Sequence, residues 1–233
     1  MGKKKKKVIL LALEVLVLVA AICILVIVMN FEKKNQRVNI DEEDLDIHVE
    51  VAENESMQGY RNIALFGVDS TTGSLGKDKQ SKTRSDTIII ASINEETKEV
   101  KLVSVYRDTF LNLGNDTYTK CNAAYAKGGP EQAIQMLNTN LDLDITNFAT
   151  VDFSALVSVV DAIGGVTIDL TEEEITHLNN YQVETSKVTN GKIENVSGAG
   201  EHLLNGIQTV SYCRIRYTAG DDFKRSERQR QVI

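Results

Sequence analysis

Between Val8 and Met29 the chain is almost wholly apolar, with Glu14 as the one charge. A run of about 22 residues makes a helix of roughly 33 Å, enough to cross a bilayer. Five consecutive lysines, Lys3–Lys7, precede it, and basic residues on that flank hold it in the cytoplasm. A secretory signal peptide shares the basic start but has a shorter apolar region that ends at a small-residue cleavage site. Here the Ala20-Ala21 pair lies inside the run, with further apolar residues after it. The expectation is an uncleaved single-pass anchor over 8–30, a cytoplasmic tail over 1–7, and the rest of the chain outside the cell membrane. Glu14 reads as a carboxylate near the inner interface, snorkelling or protonated.

That topology changes the meaning of the charge. The net charge of the whole chain is −7. It falls to about −11 once the five lysines and Glu14 are set aside, which argues against a nucleic-acid partner and makes any local basic cluster informative. Outside the apolar run the only cysteines are Cys121 and Cys213; they permit one disulfide but form no framework. The histidines His48, His177 and His202 are scattered, with no zinc spacing.

Residues 31–59 are polar and acidic around Asp41-Glu42-Glu43-Asp44. They read as an extracellular stalk, with the folded domain expected over 60–233. Three apolar runs open that domain: Ile63–Phe66, ending at Gly67-Val68-Asp69; Ile88–Ala91, preceded by Arg84-Ser85-Asp86; and Val100–Val105, leading to Arg107-Asp108. The short polar link Asn94–Lys98 predicts an antiparallel hairpin between the second and third. A turn is expected over Asn112–Asp116. A short helix over Asn122–Ala126 should stop at Gly128-Gly129, and a second should start at Pro130, where a missing N–H costs least.

Phe148–Val151 reads as a strand, Asp152 or Ser154 as the cap of a helix ending at Gly164-Gly165, and Val166–Leu170 as another strand. Residues 171–200 look polar and irregular, and Leu203–Val210 suggests a short helix. Strands alternating with helices favour an α/β fold with a mixed central sheet, with α+β as the alternative.

The C-terminal stretch is the second polar cluster. Arg214 and Arg216 would share a face on a strand, and Arg225, Arg228 and Gln229 would share a face on a helix. Clustered guanidinium groups repel unless an anion lies among them, and arginine suits phosphate in bidentate geometry. A solvated helix with local ion pairs, such as Arg216 to Asp222, is the competing reading. Asp69 and Asp86 at strand ends, with Arg84 and Arg107 beside them, favour a site for Mg2+ and phosphate.

The ordered set Asn62–Asp69, Arg84–Thr87, Val103–Asp108, Asn122–Gly129, Val151–Phe153, Val160–Val166, Tyr212-x-Arg214-x-Arg216 and Arg225-x-x-Arg228-Gln229 resembles the LytR-CpsA-Psr family over roughly residues 60–233. The resemblance implies a three-layer α/β/α sandwich, with a mixed central sheet and an apolar tunnel for a polyprenyl chain. It also implies a membrane-anchored phosphotransferase. Such an enzyme moves a glycopolymer (teichoic acid, or a capsular or secondary wall polysaccharide) from undecaprenyl pyrophosphate onto the peptidoglycan.

On this resemblance Asp69 and Asp86 would hold Mg2+, and one of them or a close neighbour would serve as base. Asp69, Asp86 and Arg107 form the catalytic set. Arg84, Arg107, Arg214, Arg216, Arg225, Arg228 and Gln229 are the phosphate-binding candidates, and Leu137, Leu141, Leu156, Val159 and Ile163 are candidates for the tunnel wall. Three departures stand out. Tyr106 replaces a usual proline, Phe110 and Leu111 stand where a further arginine is common, and the chain stops at Ile233 where family members continue. The last implies an incomplete sequence or a domain without its last elements. Competing functions are a polyprenyl-pyrophosphate phosphatase and a non-enzymatic wall-binding or regulatory protein.

Overall fold

The computed structural model describes residues 38, 40–69, 83–114 and 116–233. The expected membrane helix over 8–30, the tail before it and the loop 70–82 lie outside the described residues. Among the described residues no helix is long and apolar enough to cross a membrane. In chain order the strands are β1 (Tyr60–Val68), β2 (Ser85–Asn94), β3 (Val100–Ser104), β4 (Phe110–Asn112), β5 (Tyr118–Lys120), β6 (Asn147–Val151), β7 (Val166–Leu170) and β8 (Gly200–Leu204). The helices are α1 (Val49–Ala52), α2 (Asn122–Leu141), α3 (Phe153–Ala162), α4 (Glu172–Thr189), α5 (Gly206–Cys213) and α6 (Asp221–Val232).

The central sheet has the order β3-β2-β1-β6. The β1–β2 and β2–β3 pairs are antiparallel and β1–β6 is parallel, so the sheet is mixed as expected. Strand alternation sends Ala64, Phe66 and Val68 of β1 to one face. There they join Ile88, Ile90 and the α2 residues Tyr125, Ile134 and Leu137 in one cluster. The rings of Phe66 and Tyr125 lie 5.4 Å apart, and the Tyr125 hydroxyl bonds Thr150 Oγ1 at 3.1 Å. On the other face Leu65, Gly67, Ile89 and Val151 meet residues of α3, α5 and α6 around a cavity.

The helix pair expected on either side of Gly128-Gly129 is present as one broken helix. Gly129 takes φ 68° and ψ −155°, open to glycine but not to a residue with a Cβ, and Pro130 starts the second arm. Asp152 caps α3, accepting from the Ala155 N–H at 2.8 Å.

Four expectations need correction. The folded unit begins at Ile40, not near residue 60. Leu45 is fully buried, Ile40 and Ile47 pack against the same core, and Asn138 Nδ2 donates to the Leu45 carbonyl at 2.9 Å. The acidic run faces water, and its charge concealed these apolar pegs. After Asn112, where a turn was expected, β4 and β5 pair as a two-stranded antiparallel hairpin.

Residues 171–200 hold the 18-residue α4, opened by a capping box between Thr171 and Glu174. Its buried face includes Gln182 and Thr185 beside Ile175 and Leu178. Gln182 is satisfied there by the backbone of Glu194, donating at 3.0 Å and accepting at 3.1 Å. Polar residues buried with partners gave that face no apolar periodicity. Leu203 and Leu204 belong to β8, paired with β7, and Asn205 then caps α5. Arg214 and Arg216 follow α5 in irregular chain, so the shared strand face does not form. Cys121 and Cys213 are buried free thiols. Burial pushes them up to about 11 and about 12, which keeps both protonated.

Candidate active site at the meeting of two cavities

The end of β1, the start of β2 and the chain after β3 bring Asp69, Asp86 and Arg107 to the same side of the sheet as α6. Arg107 Nη1 donates to Asp86 Oδ1 at 2.9 Å, and its Nε lies 3.6 Å from Asp108 Oδ2. Burial lowers the pKa of Arg107, but the hydrogen bond to Asp86 and the charges of Asp86, Asp108 and Asp222 outweigh it, so the net shift is upward. Asp108 is in turn bridged by Lys120 at 2.7 Å, and this bond lowers its pKa.

Arg225 comes from the first turns of α6 and is 6% exposed. Its Nη1 lies 3.2 Å from Asp222 Oδ1, and Arg216 Nε approaches the same oxygen at 3.6 Å. These are charge contacts without hydrogen-bond geometry, because Asp222 Oδ1 and Arg225 Nε are buried with no hydrogen-bond partner. Burial, then the charges of Arg216 and Arg107, lower the Arg225 pKa. A buried guanidinium beside two like charges, with an N–H unused, is an incomplete arrangement that an anion completes.

Two cavities meet here. The polar one, about 210 Å³, is lined by Asp86, Arg107, Asp108, Asp222, Arg225 and Gln229 among others. The apolar one, about 250 Å³, runs between the sheet and α3, α5 and α6, with Leu65, Ile89, Val151, Leu156, Val210 and Val232 in its wall. Asp69, Asp152 and Arg214 also line it, and Asp86, Thr87 and Gln229 border both. At the junction Gly67 faces Thr87 across the β1–β2 pair, and a Cβ at 67 would stand 2.9 Å from Thr87 Cβ.

The candidates from the sequence therefore divide. Asp86, Arg107, Arg225 and Gln229 converge on the polar cavity, and Asp69, Asp86, Arg214 and Gln229 on the apolar one. Arg84 is exposed and borders neither. Arg216 borders neither cavity and pairs with Asp222, the ion pair weighed as the competing reading. Arg214 is largely engaged already, donating to Glu184 Oε2 at 3.0 Å and Thr185 Oγ1 at 3.1 Å beneath the Phe153 ring.

Arg228 does not share the face of Arg225. It is buried and donates to Glu174 Oε1 at 2.9 Å, Thr218 Oγ1 at 2.7 Å and the Ile215 carbonyl at 3.3 Å. Each of its three guanidinium nitrogens makes a bond, and with the bond to Glu174 it ties α6 to α4, so it is corrected from phosphate ligand to structural anchor. Of the expected tunnel wall only Leu156 lines the cavity; Leu137 is in the core across the sheet, and Leu141, Val159 and Ile163 are exposed. Thr87, Asp222 and Phe223 were missed. Phe223, an aromatic inside a charged helix two residues before Arg225, was the readable signal.

A family model described as LytR_cpsA_psr family matches residues 25–233. Biofilm regulatory protein A of Streptococcus mutans is 33% identical over 180 residues, covering 74% of this chain and 42% of that protein. An Enterococcus faecalis protein named polyisoprenyl-teichoic acid–peptidoglycan teichoic acid transferase TagU is 33% identical over 174 residues, covering 74% of this chain and 51% of that protein. A solved structure, TagT bound to LIIa-WTA, superposes with a TM-score of 0.59 at 25% identity, covering 77% of this chain and 63% of that one. The chain thus spans about half the length, or less, of these curated relatives. With the family match running from residue 25 to Ile233, over a mixed α/β fold, the chain belongs to the LytR_cpsA_psr family.

Proposed function

We propose that the chain is a membrane-anchored phosphotransferase that moves a glycopolymer from a polyprenyl-pyrophosphate carrier onto peptidoglycan outside the cell membrane. The observation that carries this reading is the meeting of a polar, arginine-lined cavity with an apolar one at Asp86, Thr87 and Gln229. A polyprenyl pyrophosphate has the same two halves, an apolar tail and a doubly charged head. The names of the TagU and TagT relatives support the same substrate class. The run over 8–30 serves as the anchor, and helices on both faces of the sheet make the three-layer sandwich.

The chemistry follows from the donors present. A peptidoglycan hydroxyl attacks the phosphorus that bears the glycan, and the bond from that phosphorus to the bridging oxygen breaks. Polyprenyl phosphate leaves with the electron pair, and the hydroxyl proton passes to a carboxylate, Asp69 or Asp86. Arg107 and Arg225 hold the phosphate oxygens and neutralise the charge that grows on the leaving group, the largest contribution a site of this kind makes. Gln229 positions the head group at the junction.

Asp69 and Asp86 line the same cavity at neighbouring strand ends. Mg2+ takes one or two carboxylates, substrate phosphates and several waters. The pair fits that ion although no group of three possible metal ligands occurs among the described residues. When bound, the ion neutralises pyrophosphate charge.

Incubating the full chain with a polyprenyl-pyrophosphate glycan and peptidoglycan should place glycan in the wall fraction. Free phosphorylated glycan with none on the wall would leave a phosphatase instead. The S. mutans relative's name points to a regulatory role, which predicts that Asp69→Ala and Arg107→Ala leave function in cells intact.

A further inference from the structure

Two aromatic side chains in the polar cavity have no part in the phosphate chemistry above. Tyr106 immediately precedes Arg107, and Phe223 lies between Asp222 and Arg225. Both line the cavity with those charged residues. Their ring centroids are 4.8 Å apart at 71°, an edge-to-face pair. Tyr106 is 41% exposed and Phe223 68%, and neither belongs to a core cluster. What marks the pair is its place: two exposed rings packed on each other inside a cavity that Asp86, Arg107, Asp108, Asp222 and Arg225 also line.

Pairing edge to face covers one face of one ring only and leaves the other faces open toward the cavity that Arg107 and Arg225 line. The matching ligand has an anion at one end and a ring with an apolar C–H face at the other. A pyranose phosphate has that shape. Prenyl chains have the apolar cavity, and bare phosphate needs no ring. Asp108 and Asp222 in the same cavity are acceptors suited to sugar hydroxyls. We propose that Tyr106 and Phe223 form a stacking platform for the sugar ring joined to the phosphate that Arg107 and Arg225 hold. This rests on the phosphate-transfer reading and names the part of the substrate that the polar cavity selects. The ring is either the first sugar of the donor, joined to phosphate through its anomeric carbon, or the acceptor sugar, joined through its primary hydroxyl.

The two sources separate with simple probes. Calorimetry on the full chain in detergent compares inorganic phosphate, glucose 1-phosphate and glucose 6-phosphate. At least one ester should bind about five- to tenfold tighter than phosphate, the scale of one aromatic contact. A gain for the 1-phosphate assigns the donor sugar, and a gain for the 6-phosphate the acceptor. Tyr106→Ala and Phe223→Ala should erase the gain and leave phosphate affinity unchanged. Phe223→Trp should restore it. Because the chain has no tryptophan, that residue's fluorescence should respond to the ester and not to phosphate. If phosphate binds and neither ester gains, or if both alanine variants weaken phosphate and esters alike, the platform is overturned alone. A chain that binds none of the three overturns the platform and the phosphate site together.

Discussion

On one face of the central sheet, Ala64, Phe66 and Val68 are at most 2% exposed, and Tyr125, Ile134 and Leu137 of α2 fill the space above them. On the other face Leu65, Ile89 and Val151 border a cavity of about 250 Å³. The same alternating strands supply both faces, so the difference lies in what covers them. The closed face is held by apolar volume, where each fully buried large side chain contributes about 1.5–3 kcal/mol. On the open side α4, α5 and α6 pack with β7 and β8 around a separate apolar cluster that includes Ile168, Leu178, Leu204, Tyr212 and Ile215, and polar ties add to it. Arg228 joins α6 to Glu174 of α4, Tyr212 Oη bonds Gln231 Oε1 at 2.7 Å, and the Gly206 N–H bonds Asp161 Oδ1 at 2.7 Å. The helices that border the cavity are held to one another, by filling and by polar bonds, and not by filling the space against the sheet.

The largest effect should come from breaking the filled face. Phe66→Ala removes a ring packed against Tyr125, and urea denaturation should show a loss of about 3–5 kcal/mol. On the open side Arg225→Ala should leave the midpoint nearly unchanged, because Arg216 still faces Asp222. Glycan transfer should fall about 10²–10³-fold, the scale of losing one preorganised donor. Next in size, Leu156→Ala shortens a side chain that already borders empty space and has fewer contacts to lose. About 1–2 kcal/mol is expected, below the usual core loss. A loss equal to that of Phe66→Ala would mean the two faces are packed alike.

The sheet was legible because its strands carry their own signals: apolar runs, a short polar link and polar residues at the ends. Asp86 and Arg107 stood out as charges at those ends. The remainder was hidden by partners that lie far away in the chain. Leu45 is a core residue inside an acidic run, and only Asn138, many residues later, reveals why. The buried polar face of α4 depends on Glu194. Arg225 and Arg228 have the same type and similar burial, and the sequence grouped them. Glu174, 54 positions away, decides which of them is already occupied.

Glu174 also gives the smallest effect and the sharpest contrast between the faces. Burial alone would raise its pKa, but the hydrogen bonds from the Thr171 N–H, Arg228 and the Thr171 hydroxyl, and the Arg228 charge, bring it below its ordinary value of 4.5. A carboxylate with a depressed folded-state pKa stabilises the protein above its unfolded value, and that stability is lost as pH falls through the folded one. Glu174→Gln keeps the size, removes the charge and leaves one accepting oxygen where the carboxylate has two. At neutral pH it should cost about 1 kcal/mol, the difference between a charge-assisted and a neutral hydrogen bond. That cost should begin to shrink as pH falls below the ordinary value of 4.5 and be lost as it passes through the lowered folded-state value, where the native glutamate itself takes up a proton. The loss in Phe66→Ala should stay constant over the same range, because no group around that ring titrates there. Melting both variants between pH 7 and pH 3.5 makes the comparison. A Glu174→Gln penalty that persists in acid would mean that the lost acceptor oxygen, and not the charge, loosens the hold on α6.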